Sequence, residues 1–424
     1  MHRVFVPITS KQPLMPCSPA RARLLLKAKR AAVFRRKPFT IIPKGRTLGG
    51  IQPVVWQLDP GSQITGMALV GEFPHQGRIM LWASELYHRG DHIRQKLLAR
   101  SSVRRGRRAR KTRYRPARFK NRRRPEGWLP PSLQSRLDNV MNWTRKVQRC
   151  VLIRSIAMEL VRFDTQQLMN PEVTGVEYQQ GELFGFEVRE YLLEKWRRTC
   201  AYCHKTNVPM EIEHLIPRSR GGSNRVGNLT LACTSCNQRK GNQTASEFGY
   251  PQLMTQARQP LKDAAAVNST RWALYRQLQA LGLPVSVWSG GQTKYNRTQQ
   301  GYPKAHWIDA ACVGINGSQV RLDPQTQPLA ISATGRGTRQ VVKTDHFGFP
   351  RSKAARVKRT HGFQTGDLVR LTQPYGKYGG KWVGPLAGVR ATGKFDLLTS
   401  RGRVTAPASR FTLYQRTEGY IYAA

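Results

Sequence analysis

Cys200, Cys203, Cys233 and Cys236 form two C-x2-C pairs on either side of residues 204–232. Four thiolates at that spacing close a tetrahedral zinc site, and a closed site is structural rather than catalytic. Zinc would give the segment folding energy that so short a chain cannot draw from a core of its own. Chance spacing or a redox pair is the alternative reading of the same cysteines. Between the pairs stands Glu213-His214. A histidine can take a proton from water near neutral pH, and the glutamate beside it can hold a hard divalent cation through oxygen. Asn228 and Asn237 follow, with Gly221-Gly222 suited to a tight loop between them and the histidine. The chemistry that fits is phosphodiester hydrolysis within a metal clip.

A second set of groups is scattered. Asp59 ends L-D-P-G-S, Glu159 interrupts S-I-A-M-E-L-V, and Asp309 lies in A-H-W-I-D-A-A-C-V-G, where a helix is expected to start. An unpaired buried carboxylate is costly, and a shared cation would resolve three such costs together. Two metals about 4 Å apart on these carboxylates could support in-line phosphodiester cleavage. His306 precedes Asp309 by one helical turn and can face the same site. Taken singly, Asp59 also reads as a turn residue, Glu159 as a salt-bridged strand residue and His306 as a packed core histidine.

The partner is written in the charge. The chain has 424 residues, with 71 Lys and Arg against 24 Asp and Glu and a formal charge of +47. Such an excess calls for a polyanion, and nucleic acid is the expected one. Residues 89–124 concentrate it, with seventeen Lys and Arg against one acid, Asp91. Arg100, Arg104, Arg105, Arg107, Arg108, Arg110, Lys111, Arg113 and Arg115 are the candidate phosphate contacts. Arginine suits bidentate grips on phosphate. A disordered tail is the alternative, but the run sits between patterned segments and reads as a helix ordered on nucleic acid. Length suggests two to four domains. Three further cysteines, Cys17, Cys150 and Cys312, show no pattern, and free thiols beside a zinc site fit a reducing cytosol. Neither a signal peptide nor a membrane span is expected.

These groups need elements to hold them. Val4-Phe5-Val6 and Phe39–Ile42 read as strands. Ser18-Pro19 opens a helix as N-cap and first residue. V-V-W-Q-L-D and I-T-G-M-A-L-V read as a hairpin around P-G-S. Leu133, Leu137, Val140, Met141, Thr144 and Val147 follow a helical period. Residues 151–161 form an apolar run that suits a buried strand. Residues 183–198 and 252–281 read as helical, and L-P-V-S-V-W as a strand. The tail from 346 alternates short strands with Gly-rich turns, which suggests a small SH3-like β-barrel. Its Lys377, Tyr378, Lys381 and Trp382 mix charge with aromatics and suit nucleic acid. A merely solubilising barrel is the alternative.

The clip resembles the HNH endonuclease module, two strands and a helix around one catalytic metal. That resemblance implies His214 as general base, Glu213 and Asn237 as Mg2+ ligands, and Asn228 as the residue that steadies the histidine loop. Many such sites carry Asp or His at the position of Glu213. The scattered set resembles a RuvC-type nuclease of RNase H-like fold, which implies Asp59, Glu159 and Asp309 as Mg2+ ligands and His306 as ligand or base. The order of parts, with an Arg-rich segment and an HNH insertion splitting a RuvC site, resembles the IscB family of transposon-encoded RNA-guided nucleases, related to the ancestors of type II CRISPR effectors. Pro13-Leu14-Met15-Pro16 resembles that family's PLMP signature.

The resemblance covers residues 1 to about 315 and weakens beyond. It implies an α/β multidomain chain: an RNase H-like mixed sheet split by a bridge helix and a zinc-stabilised ββα module, with a C-terminal SH3-like barrel. The divisions are 1–50 PLMP, 51–88 RuvC I, 89–130 bridge helix, 131–182 RuvC II, 183–250 HNH, 251–345 RuvC III and 346–424 for guide RNA and the target-adjacent motif. The implied cofactors are Mg2+ at both sites and structural Zn2+. The implied partners are a guide RNA of the omega type and a double-stranded DNA target. The implied particle is one protein chain with its RNA in a prokaryotic cytoplasm, at the nucleoid when DNA is bound. Two rival readings stand beside this one. One is a protein-guided homing or restriction-type HNH enzyme, the other a catalytically silent nucleic-acid binder.

Overall fold

The computed structural model describes residues 3–109, 128–160, 184–206, 208–259 and 264–335, and from there 342, 345–346, 349–351, 353, 357 and 359–423. The chain is mixed α/β and divides into two compact units. The first holds Met1–Val55, Gln63–Arg154 and Arg321–Ala424; the second holds Trp56–Ser62 and Ser155–Val320.

In the first unit, Ile64–Phe73 and Gly77–Tyr87 form an antiparallel hairpin with Ile64 opposite Tyr87. The strand Gly77–Tyr87 is absent from the sequence reading of residues 51–88. Leu329–Ala333 lies parallel to it, and Tyr420–Ala423 pairs antiparallel with Leu329–Ala333. The tail therefore does not form one piece: its last strand leaves to complete this sheet. The rest of the tail is a five-stranded antiparallel sheet, in the order Gly402–Pro407, Lys394–Thr399, Gly380–Val389, Leu368–Gln373, Phe411–Gln415. Alternating inward residues, Val369, Leu371, Phe395, Leu397, Val404 and Ala406, build its core.

The helix Pro131–Gln148 buries Leu137, Val140, Met141, Thr144 and Val147, the face its periodicity predicts. It packs on the helix Gly90–Ala109, the described part of the Arg-rich run. Val4–Val6, expected as a strand, makes only single bridges, Val4 to Cys17 and Phe5 to Thr40. The second expected strand is Thr40–Pro43, paired with Ala31–Arg35. Ser18 caps Pro19–Lys27 by accepting the Arg21 N–H at 3.3 Å.

In the second unit, Val54–Pro60 (from Trp56 on), Ser155–Glu159 and Val285–Trp288 lie side by side. The last two are parallel, with Glu159 opposite Trp288. Every residue of Val54–Pro60 is buried, as are Ile156 to Glu159, which is what a strand covered on both faces requires. Helices Gly290–Gln299 and His306–Ala311 follow. The helix before the cysteine clip is Phe184–Lys195, shorter than its apolar pattern suggests. It ends before Arg197 and Arg198, whose φ angles of 52° and 56° are left-handed. The expected helix 252–281 is described as two, Gln252–Arg258 and Ala264–Gln279.

Candidate functional site

Two sites form within the second unit. The first is built on a short hairpin. Met210–His214 pairs antiparallel with Leu229–Cys233, with His214 opposite Leu229, and the helix Thr234–Lys240 follows directly. Leu231 and Leu229 point into a core with Leu192, Leu193, Tyr202 and Leu215. At its edge the four cysteine sulfurs lie within 4.8 Å of one another. Three of these cysteines are buried, and four soft sulfur donors at that separation suit zinc.

His214 ends its strand. Its Nε2 lies 3.0 Å from Asn224 Oδ1, a contact that favours the Nε2–H tautomer and leaves Nδ1 open. The loop after it is clamped by Asn228. That side chain accepts the Ile216 N–H at 2.9 Å and donates to the Ile216 and Ser223 carbonyls at 3.0 and 2.9 Å. Gly222 is required there, because a Cβ would sit 1.7 Å from the Ile216 carbonyl oxygen. Gly221 takes a φ of 82°, which glycine adopts without strain.

Glu213 is buried, and each of its oxygens has one partner. One oxygen meets Lys240 Nζ at 2.5 Å and the other accepts from the Tyr202 hydroxyl at 2.6 Å. Lys240, itself 1% exposed, also donates to the His214 carbonyl at 2.9 Å. Burial and the hydrogen bond to Glu213 push the Tyr202 hydroxyl's pKa well up, so it stays a donor. Asn237 instead donates to Glu211 at 2.6 Å, and Glu211 also accepts from Thr234. Glu213, His214 and Asn237 still line one open pocket with Arg218, Ser219 and Asn242. The oxygen donors Glu211, Glu213 and Asn237 suit a hard cation such as Mg2+.

The second site collects residues from distant segments. Asp59, near the end of its strand, Glu159, the last residue of its own, and His306 and Asp309 on one helix line a single cavity. His306 Nδ1 lies 3.4 Å from Asp59, Arg297 pairs with Asp309 at 2.8 Å, and Arg271 with Glu159 at 3.5 Å. Arg271 also donates to the Pro60 carbonyl at 3.0 Å. Burial pushes the Asp309 carboxyl up to about 6, and the neighbouring Asp59 charge adds to the shift. The lining carries five Lys and Arg side chains, Arg198, Arg271, Lys294, Arg297 and Lys304, against three carboxylates. Three hard carboxylates in one cavity fit Mg2+. The surplus of cations around them fits a phosphate.

Sequence reasoning passed over Glu211, Asn224, Lys240, Arg271 and Arg297. Only Glu211 carried a signal, since residues two apart on a strand share a face with Glu213. Of the candidate phosphate contacts, Arg100, Arg104 and Arg105 are exposed on the helix Gly90–Ala109. Arg107 and Arg108 belong to that helix, and Arg110, Lys111, Arg113 and Arg115 lie outside the described residues. In the tail, Lys377 stacks over Tyr378, Trp382 Nε1 donates to the Tyr378 carbonyl, and Arg401 covers Trp382. Lys381 is exposed beside them. Among the described residues no helix is long and apolar enough to cross a membrane.

Residues 4–181 match the RRXRR protein family, and residues 200–252 match the HNH endonuclease family. No curated protein matches the chain. Among solved structures, the type II-C Cas9 enzyme from Actinomyces naeslundii shares 18% identity at a TM-score of 0.16, over 44% of this chain and 29% of that one. Streptococcus thermophilus Cas9 in complex with the AGAA PAM shares 13% at 0.20, over 61% and 32%. The same enzyme in complex with the GGAA PAM shares 14% at 0.21, over 61% and 32%. The chain spans about a third of the length of these structures.

Proposed function

We propose that this member of the IscB/Cas9-like nuclease family is an RNA-guided DNA endonuclease with two active sites. The observation that supports it is the gathering of Asp59, Glu159, His306 and Asp309 on one cavity, in a chain whose HNH segment lies between Glu159 and His306. A protein-guided HNH enzyme has no use for that second cavity, and a silent binder has no use for either site.

In this reading the HNH site cuts the strand paired with the guide. Mg2+, when bound, polarises the scissile phosphate and stabilises the charge that develops on it. Glu213 and Asn237, joined by Glu211, hold it. His214 Nδ1 takes the proton from the attacking water. Asn224 fixes the ring and its tautomer, and Asn228 fixes the loop. The four cysteines hold zinc and set the hairpin. The second site, RuvC-like, cuts the displaced strand. Asp59, Glu159 and Asp309 hold its Mg2+ and His306 orients against Asp59. Arg271 and Arg297 keep two of the carboxylates placed.

Guide RNA occupies the basic surfaces, the bridge helix from Arg100 onward above all. The tail, with Lys377, Tyr378, Lys381 and Trp382 on an SH3-like barrel, meets RNA and the motif beside the target. Base pairing supplies sequence specificity while the protein reads geometry. RNA that co-purifies from the host tests this. The expected result is a discrete structured RNA whose variable segment directs cutting of matched duplex. Specific cutting by RNA-free protein would favour the protein-guided reading.

A further inference from the structure

The Pro13-Leu14-Met15-Pro16 segment has no part in either nuclease site. Leu14 N–H donates to the Val6 carbonyl and Cys17 N–H to the Val4 carbonyl, which ties the segment along residues 4–6. This builds one side of a cavity of about 140 Å³, roomy enough for a single planar base. Its floor is apolar: Val6 and Leu14 are buried, and Met15, Cys17 and Leu25 are half-buried. Its rim is cationic: Arg21, Arg30, Lys44 and Arg46 are all exposed.

Charge decides what such a cavity takes. Residues 1–58 contain twelve Lys and Arg and no Asp or Glu; Asp59 is the first acid of the chain. Among the described residues, none of the four rim side chains is paired with a carboxylate. Arg46 is instead held by its Nε on the Leu48 carbonyl at 3.0 Å, with its guanidinium beside Gly49. The anion these groups are built for must come from outside the segment. A bare phosphate would have no use for the apolar floor, and an apolar ligand none for the rim. A nucleotide uses both, with its base on Leu14, Met15 and Leu25 and guanidinium planes able to cover it.

We infer that this cavity holds one unpaired nucleoside 5′-monophosphate unit of a single-stranded nucleic acid. The site stands apart from both nuclease sites, so it can fail while they hold. Photolabelling of the full chain, freed of nucleic acid, with 8-azidoadenosine 5′-monophosphate tests it. Labelled peptides should fall within residues 14–25 or 43–50. Adenosine 5′-monophosphate should compete, while adenosine and inorganic phosphate at equal concentration should not. Its ribo and deoxy forms, compared as competitors, assign RNA or DNA as the source.

The double variant Arg30→Ala/Arg46→Ala should lose about tenfold in labelling, as for a lost charge-assisted hydrogen bond. Met15→Trp, which fills the floor without changing charge, should lose as much. Lys27→Ala, outside the lining, should lose nothing. Labelling elsewhere or nowhere, competition by phosphate alone, or full labelling of Met15→Trp would overturn the assignment.

Discussion

The two candidate sites sit in the same unit and are built in opposite ways. The HNH site draws His214, Asn224, Asn228 and Asn237 from one hairpin and its following helix, with its own core and sulfur cluster. The carboxylate cavity has no such local frame. Asp59, Glu159 and Asp309 reach it on separate elements, and each is met by a basic or imidazole side chain from elsewhere in the unit. A local site rises or falls with one small module. A dispersed site depends on the pairing of distant strands, and its buried charges hold one another in place.

That contrast can be broken most severely at the sulfur cluster. Cys233→Ser should abolish zinc binding, whose worth in comparable clips is about 10–16 kcal/mol. Elemental analysis should show zinc lost, and cutting of the guide-paired strand should vanish. The displaced strand should still be nicked; if both activities disappear together, the modules are not independent.

Next come the reacting groups. His214→Ala should slow cutting of the paired strand by about 10²–10⁴-fold, the usual worth of a general base. Asp59→Ala should remove cutting of the displaced strand alone. Strand-resolved gels on duplex labelled at either end read both. Identical strand patterns for the two variants would refute the division of labour.

A smaller effect is expected from the buried link between clip and base. Lys240→Ala leaves Glu213 buried without its counter-charge, held by the Tyr202 hydroxyl, and should destabilise the HNH module by about 3–5 kcal/mol. Thermal unfolding and local hydrogen exchange measure it, and an exchange pattern unchanged in residues 210–240 would contradict it. Asn224→Ala should have the least effect. It frees the ring of His214 without removing it, so the rate on the paired strand should fall about tenfold with DNA affinity unchanged. A loss of affinity in place of rate would mean that Asn224 grips substrate.

The difference in construction also explains what could be read in the sequence. Glu213, His214, Asn228 and Asn237 could be picked out together because they lie close along the chain, and the spacing of Cys200, Cys203, Cys233 and Cys236 carries its own geometry. Even so, Glu213 stood out as the cation ligand while its burial on Lys240 and Tyr202 did not. A lysine's partner is not written in its neighbours along the chain. The strand Gly77–Tyr87 was missed because its mixed composition, R-I-M-L-W-A-S-E-L, does not alternate cleanly. The strand Tyr420–Ala423 was folded into the tail because sequence proximity hides its pairing with Leu329–Ala333.

Composition and motif spacing alone pointed to a polyanionic partner, to the cysteine cluster and to Glu213-His214 as a reacting pair, since charge and ligand spacing act over short stretches of chain. Only the tertiary structure decided which cations stand against which carboxylates: Arg271 on Glu159, Arg297 on Asp309, Lys240 on Glu213. Those pairs join residues 12 to 112 positions apart. Nothing in local propensity specifies them, because it is the packing of strands and helices that removes water and makes each buried charge find a partner.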